Sequence, residues 1–148
     1  MHVYIFSSST LTNIWAGIGA RKWAVSNGQG ANASIRGKAA NLPVGAFGLL
    51  YCVDLQSLTT PFLITSRPDM NASVGNVWLD EWVLPFSIFP LGSPRHQIQK
   101  DDLANLLPSL KGGRPWTQLI HFQPITAFAP SDLSDDDWAA IAAELVES

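Results

Sequence analysis

The sequence predicts a single domain of the mixed α/β (α+β) class, with strands separated by irregular loops and a helix near each end. A chain of 148 residues fits one domain, since domains span about 50–250 residues. A hydrophobic content of 47% supports a packed core and excludes a disordered chain. Short apolar runs recur, whereas the long, regularly spaced crossover helices of a doubly wound sheet are missing.

The N-terminal part predicts a strand, a helix and a second strand. Residues 3–6 are apolar and β-rich, which indicates a buried strand. Four hydroxyl residues follow and can cap a helix over 11–18, where apolar residues recur at helical spacing. A short strand is expected at 22–25. The Gly- and Asn-containing stretch 26–42 predicts a loop with a short helix near 35–41.

The middle of the chain alternates apolar runs with polar stretches. Four further strands are predicted, at residues 46–53, 61–66, 83–90 and 119–122. Residues 67–82 are polar and contain turn-forming Asn, Ser and Gly, so they are expected to be irregular. A short helix begun by Asp101 is expected over 101–110.

The C-terminal helix has the clearest signal. Ser134 and Asp137 have the spacing of a capping box, and apolar residues then continue to about Val146. Three consecutive aspartates in the first turn suit the positive end of the helix dipole. The acidic tail is therefore explained by helix formation, without an interaction partner.

The charge distribution is uneven. The formal net charge is −3, but all nine basic residues lie between Arg21 and Arg114, and six of the twelve acidic ones lie in the last 17 residues. The mildly basic body permits a polyanionic partner. No apolar run approaches the roughly 20 residues of a transmembrane helix, and the start lacks the pattern of a signal peptide. We therefore expect a cytoplasmic protein with no membrane partner.

The chain lacks the motifs of common enzymes. It has no glycine-rich phosphate loop, no GxSxG and no HExxH. Three scattered histidines, His2, His96 and His121, show no metal-ligand spacing, and a single cysteine excludes a disulfide framework. Cys52 lies in an apolar strand, where a thiol is usually inert. We expect no catalytic residues, no metal and no cofactor.

The tryptophans are the informative residues. Of six, Trp78 and Trp82 lie four apart in a polar, glycine-containing segment, and Trp23 begins a strand. Ordinary core packing is one interpretation. The other is an aromatic box, which holds flat or methylated groups by stacking and dispersion.

At these residues the chain resembles the YTH domain, a reader of N6-methyladenine in RNA, and more broadly its EVE and PUA-like relatives. The similarity lies in an ordered series of segments: Val3-Tyr-Ile-Phe-Ser-Ser-Ser, Thr12-Asn-Ile-Trp, Arg21-Lys-Trp-Ala-Val-Ser26, residues 46–54, Val77-Trp-Leu-Asp-Glu-Trp-Val83 and Pro94-Arg-His-Gln-Ile98. It implies a PUA-like open, curved β-barrel flanked by helices over residues 1–148. It also implies non-catalytic recognition of a modified base.

The resemblance assigns roles to the matched positions. Trp23, Trp78 and Trp82 would form the cage for the modified base. Asn13 would bond the base edge, helped by Ser8 and Ala24. Phosphate contacts would come from Arg95 by resemblance; Lys22, Arg36 and Lys38 are candidates on charge alone.

Several alternatives stay open. A related module could read a modified cytosine or adenine in DNA, in a defence or restriction context, with a partner nuclease or other effector protein. The same pocket could hold a small ligand or a peptide. A small nucleotide-acting enzyme that uses Cys52 or His96 is a third possibility.

Overall fold

The computed structural model describes residues 1–148, except for the side chain of Gln118. It contains eight strands and five helices of at least four residues. The strands are β1 (His2–Ser8), β2 (Lys22–Ser26), β3 (Phe47–Cys52), β4 (Ser57–Ile64), β5 (Ser73–Val74), β6 (Trp82–Pro90), β7 (Gln97–Gln99) and β8 (Pro130–Asp132). The helices are α1 (Leu11–Ala20), α2 (Asn27–Gly30), α3 (Ala33–Ala39), α4 (Leu103–Leu106) and α5 (Asp135–Leu145).

The strands form one mixed sheet that curls into a half-barrel flanked by helices. Its order is β2-β6-β4-β3-β1-β8, with β5 paired to β6 and β7 paired to β4. Strands β1 and β3 are parallel, and the other pairs are antiparallel. This agrees with the predicted mixed class. None of the helices in the described chain is both long and apolar enough to cross a membrane.

Two clusters of buried side chains cover the two faces of the sheet. Alternation along β1 sends Tyr4 and Phe6 into one cluster and Val3 and Ile5 into the other. The first cluster contains Trp23 and Trp78, together with residues of α1 and α3. The second lies beneath α5 and the segment before β8. The sheet therefore separates the tryptophans of the predicted cage from the C-terminal helix.

The helix caps form as the hydroxyl positions predict. The Thr10 side chain accepts a hydrogen bond from the Asn13 N–H at the start of α1. Ser134 and Asp137 form the full capping box of α5. Helix α1 continues two residues beyond the predicted end, to Ala20, and Arg21 then takes the left-handed conformation.

The structure corrects three predicted segments. Residues 119–122 are not a strand: the segment follows a 3₁₀ turn, and the His121 N–H bonds the Ser131 hydroxyl rather than a strand partner. Its apolar residues are explained by burial in the second cluster. The stretch 26–42 contains the short helix expected near 35–41, which is α3, but α2 also forms where only a loop was predicted.

Strand β4 starts four residues before the predicted strand at 61–66, and it ends at Ile64. Its first residues are polar, which hid them from a hydrophobicity argument. Ser57 and Thr59 are nevertheless fully buried, because their hydroxyls donate to the Gln97 side chain and to backbone carbonyls of Ser93 and His96.

Candidate functional site

A cleft of about 240 Å³ opens where β1 ends and α1 begins. We call it the tryptophan cleft. Its lining includes Trp23, Trp82, Asn13, Ser7, Ser8, Ser9, Ala24, Ser26, Gln29, Val53 and Pro124. The predicted base-edge residues Asn13, Ser8 and Ala24 thus lie together with two of the three predicted cage tryptophans.

Two indole rings meet at a steep angle beside this cleft. The centroids of Trp23 and Trp82 are 5.6 Å apart, and their planes are inclined at 71°. Pairing of β2 with β6 produces the contact, because Ser26 lies opposite Trp82 and the ladder is irregular after Trp23. Trp23 is 1% exposed, whereas Trp82 is half-buried. A flat ligand in the cleft can therefore stack on the accessible ring of Trp82, while the buried ring of Trp23 lies at the edge of the ligand.

Helix α1 approaches Trp23 closely because Gly17 has no side chain. A Cβ atom added to Gly17 would lie 2.8 Å from Cε3 of the Trp23 ring. The close approach fixes the indole against α1 and leaves it little freedom to rotate.

Trp78 joins the cluster but does not line the cleft. Its ring stacks on Trp82 with a centroid distance of 4.3 Å and an angle of 18°, and it meets Trp23 edge-on at 5.6 Å. Its indole N–H donates to the Asn13 carbonyl over 3.0 Å. The three predicted cage tryptophans are therefore in mutual contact, with Trp78 tied to α1 and covering one face of Trp82.

The opposite wall is polar and neutral. The end of β1 and the turn into α1 contribute three serines, and the Ser8 hydroxyl donates to the Thr10 carbonyl. The backbone of Asn13 is engaged on both sides, by Thr10 and by Trp78. Among the hydrogen bonds of the described chain, none uses the Asn13 side-chain amide. This amide is available to a ligand as both donor and acceptor.

Gln29 fixes the rim of the cleft. Its side-chain oxygen accepts from the Ser26 N–H and hydroxyl over 3.1 and 3.2 Å, which completes a capping box on α2. Its amide nitrogen donates to the Pro124 carbonyl over 2.9 Å. A residue that sequence reasoning missed thus joins two segments 95 positions apart. The Ser-x-x-Gln spacing of the capping box was the available signal.

The predicted phosphate-contacting residues lie elsewhere. None of the residues described as lining the tryptophan cleft carries a charge, so Lys22, Arg36, Lys38 and Arg95 are outside it. Arg36 donates to the carbonyls of Gly30 and Met70, which gives it a structural role between α3 and the loop before β5. The structure does not bring these four residues together with the cage.

Arg95 has its own surroundings. Its guanidinium carbon lies 5.8 Å from the centroid of the Trp15 ring, and one nitrogen is 3.9 Å from a carboxylate oxygen of Glu147. His96 shares that carboxylate, with its Nε2 also 3.9 Å away. These contacts place Arg95 over the outer surface of α1.

Cys52 is fully buried beneath the opening turn. Its thiol points to the Ser9 carbonyl at 3.7 Å, which is the contact of a small core residue. Within the described side chains, no group of three His, Cys, Asp or Glu residues is placed to hold a metal ion. The described lining of the cleft offers aromatic rings for stacking and hydroxyl and amide groups for hydrogen bonding.

The structure is similar to solved YTH domains over nearly its full length. The YTH domain of Zygosaccharomyces rouxii MRB1 protein, solved in complex with N6-methyladenosine RNA, matches with a TM-score of 0.64 and 13% identity, covering 99% of this chain and 89% of that one. The Pho92 YTH domain in complex with m6A matches with a TM-score of 0.63 and 12% identity, covering 99% of this chain and 85% of that one. The Toxoplasma CPSF4 YTH domain in apo form matches with a TM-score of 0.63 and 15% identity, covering 99% of this chain and 89% of that one.

By sequence, no family model and no curated protein matches the chain. The structural similarity nevertheless shows that the chain has the fold of YTH domains. The half-barrel flanked by helices, which the resemblance implied, is confirmed. At identities of 12–15% the similarity establishes the fold, and the argument for function depends on the cleft itself.

Proposed function

We propose that this chain recognises N6-methyladenine in single-stranded RNA and catalyses no reaction. The observation that carries the proposal is the neutral cleft bounded by the inclined rings of Trp23 and Trp82 and by the free amide of Asn13. Solved domains of the same fold were determined with N6-methyladenosine RNA and with m6A, which supports RNA as the polymer to test first.

The two ring walls have different tasks in this proposal. The base stacks on the half-buried Trp82, on the face that Trp78 leaves free. Stacking of a base on an aromatic side chain is worth roughly 1–3 kcal/mol. The N6-methyl group then lies against the buried edge of Trp23, where one apolar carbon removed from water contributes about 0.8 kcal/mol, a preference of about fourfold.

Hydrogen bonds select the base. Asn13 offers both a donor and an acceptor, which suits the edge of adenine. Ser8 and the backbone around Ala24 lie in the same lining and complete the contacts. Because a base that is stacked and paired within a duplex cannot enter the cleft, the proposal requires an unpaired or flipped base.

Trp78 acts as a support rather than a wall in the arrangement we propose. A base held between two rings needs them about 7 Å apart, twice the van der Waals contact distance of ~3.5 Å. Trp78 and Trp82 are only 4.3 Å apart, so no base fits between them as they stand. Trp78 instead holds Trp82 in position and connects it to α1 through Asn13.

The test is a fluorescence titration with matched single-stranded RNA and DNA oligonucleotides. Each strand carries N6-methyladenine, 5-methylcytosine or no modification. We expect methyladenine RNA to bind about fourfold more tightly than the unmodified strand. Trp82→Ala should weaken binding by about 5- to 150-fold, because the stacking surface is removed.

Trp138→Phe is the matched control. Trp138 is also half-buried and also stacked, on Phe47, but at the far end of β3 from the cleft. Its replacement should leave binding unchanged. Equal binding of all strands would contradict the proposal and favour a small-ligand or peptide occupant. Tighter binding of a modified DNA strand would show that the ligand is DNA rather than RNA.

A further inference from the structure

A second cleft of about 250 Å³ adjoins the tryptophan cleft. We call it the stacked-ring cleft; its walls are Tyr51, Phe122, Trp116 and Lys100. The two clefts share Val53 and Pro124, both of which are exposed. This Val53–Pro124 ridge makes one continuous surface of the two clefts, so a ligand longer than one nucleotide can contact both.

Three aromatic rings form a column in the second cleft. The ring centroids of Tyr51 and Phe122 are 3.7 Å apart at an angle of 21°, and those of Phe122 and Trp116 are 4.9 Å apart at 13°. Tyr51 and Phe122 are buried, at 4% and 9% exposure, whereas Trp116 is half-buried. Trp116 is thus the ring that a further flat group can reach.

A cation accompanies the column. The Lys100 ammonium nitrogen lies 5.8 Å from the centroid of the Trp116 ring. The tryptophan cleft has no charged residue in its described lining, so Lys100 is the positive charge available to a backbone that crosses the ridge. Asp101 follows it and opposes an anion. Burial, then the nearby Cys52 and Asp101, raises the pKa of Tyr51 above 10.0, so this hydroxyl stays neutral.

We propose that the stacked-ring cleft binds the nucleotide next to the methylated one in the same strand. This inference rests on the proposed function of the tryptophan cleft. The neighbouring base stacks on Trp116 in place of the Lys100 ammonium, which turns away from the ring to contact a phosphate. A stacking surface accepts any base, because every base has a π face. The second cleft therefore adds affinity without adding sequence preference, whereas the first supplies the choice of base.

The experiment compares ligands that differ only beside the methylated base. Wild-type protein is titrated with N6-methyladenosine, with a five-nucleotide RNA carrying N6-methyladenine at its centre, and with the same RNA made abasic on the 5′ or the 3′ side. We expect removal of the base on one side to weaken binding about fivefold or more. Changing that base from one type to another should have little effect.

Variants identify the residues. Trp116→Ala should weaken binding of the pentanucleotide about fivefold or more and leave binding of the free nucleoside unchanged. Lys100→Gln should lower the slope of log affinity against log salt by about 0.7, as expected for one phosphate contact on a single strand. Asp101→Asn should strengthen binding about two- to threefold. Trp138→Phe again serves as the control for an unrelated stacked tryptophan.

Failure of this inference is distinguishable from failure of the proposed function. If the pentanucleotide prefers the methylated base but tolerates an abasic neighbour on both sides, the second cleft is not a nucleotide site and the inference is overturned. An unchanged salt slope in Lys100→Gln overturns the phosphate contact. If neither the free nucleoside nor the pentanucleotide binds more tightly when methylated, the proposed function itself is overturned, and the inference that rests on it is overturned as well.

Discussion

The two clefts adjoin at the Val53–Pro124 ridge, yet their walls belong to different halves of the core. The Trp23 ring belongs to the cluster on the α1 face of the sheet, whereas Tyr51 and Phe122 belong to the cluster beneath α5. The first cleft has inclined rings and neutral hydrogen-bonding groups. The second has parallel rings and a lysine. Inclined walls and a polar edge can select one base, while a stack with a cation can hold any base.

The aromatic rings of the two clefts also differ in how deeply they are buried. The deepest ring of the tryptophan cleft, Trp23, is 1% exposed and fixed by α1 on one side and by Trp78 and Trp82 on others. The accessible ring of the stacked-ring cleft, Trp116, sits in a single 3₁₀ turn. The first site is therefore an extension of the core, and the second is a surface resting on the core.

The largest expected effect tests this difference through stability. Trp23→Ala should lower the free energy of unfolding by about 3–5 kcal/mol, because a large buried ring leaves a cavity. Trp116→Ala, at a half-buried position, should cost about 1–2 kcal/mol. Urea unfolding followed by circular dichroism measures both. Equal losses would mean that the second cleft is as much part of the core as the first.

A second prediction concerns the cap of α5, which supports the cluster behind the stacked-ring cleft. Asp137 is fully buried; its burial disfavours the charge, but hydrogen bonds from Ser109 and Ser134 outweigh this and hold its pKa below the ordinary 3.8. Asp137→Ala should cost about 2–3 kcal/mol, since it removes the cap partner and leaves buried donors without an acceptor.

The pH dependence of that contribution follows from the sign of the shift. Because the pKa is lowered by folding, the stabilisation is complete above the unfolded value and is lost as pH falls through the lower, folded one. The difference in unfolding free energy between wild type and Asp137→Asn should be constant from pH 7 to about 5 and shrink below about 4. Amide exchange should then increase in α5 before β2. If α5 and β2 lost protection from amide exchange at the same pH, the two halves of the core would unfold as one cooperative unit.

The sequence predicts this arrangement best where the interacting residues lie close together along the chain. The caps of α1 and α5 lie within four consecutive positions, so their residue types are enough to predict them. The structure places Trp23, Trp78, Trp82 and Asn13, which the resemblance grouped, close together. The resemblance did not anticipate that Trp78 would stack on Trp82, because ring orientation depends on its bond to the Asn13 carbonyl.

The second cleft was outside the reach of sequence reasoning. Residues 119–122 have the composition of a strand, but they form an irregular segment that brings Phe122 between Tyr51 and Trp116. The stack joins positions 51, 116 and 122 through tertiary contacts alone. The four basic residues chosen on charge or resemblance do not include Lys100, because its proposed role depends on its position beside that stack.

The third prediction sharpens the assignment of base selection to the first cleft. Asn13→Leu keeps the approximate size of the side chain, adds no charge and removes its hydrogen-bonding amide. We expect affinity for the methylated strand to fall about 5- to 10-fold, equivalent to about 1–1.4 kcal/mol for a lost hydrogen bond. Stability should change by less than about 0.5 kcal/mol, because the half-buried side chain makes no described hydrogen bond within the protein. Unchanged affinity would exclude Asn13 from base recognition.

The smallest effect is expected where the two clefts are joined. Gln29→Glu retains the oxygen that accepts from Ser26 and loses the amide that donates to the Pro124 carbonyl. It also adds a negative charge at the rim, so binding is measured at high salt, where repulsion of the strand by this charge is screened. We expect binding of a methylated pentanucleotide to weaken about two- to fivefold, from the loss of one hydrogen bond worth about 0.5–1 kcal/mol. Binding of the free nucleoside should stay within twofold, since the capping contact to Ser26 is retained and the proposed contacts to the base come from Trp82, Trp23 and Asn13. Gln29→Ala removes the capping box as well and should also destabilise the fold. Comparison of Gln29→Glu with wild type therefore reports the bond to Pro124, and the difference between the two variants reports the capping box. If Gln29→Glu weakened nucleoside and strand equally, the ridge would belong to the first cleft alone and the two sites would not act on one strand.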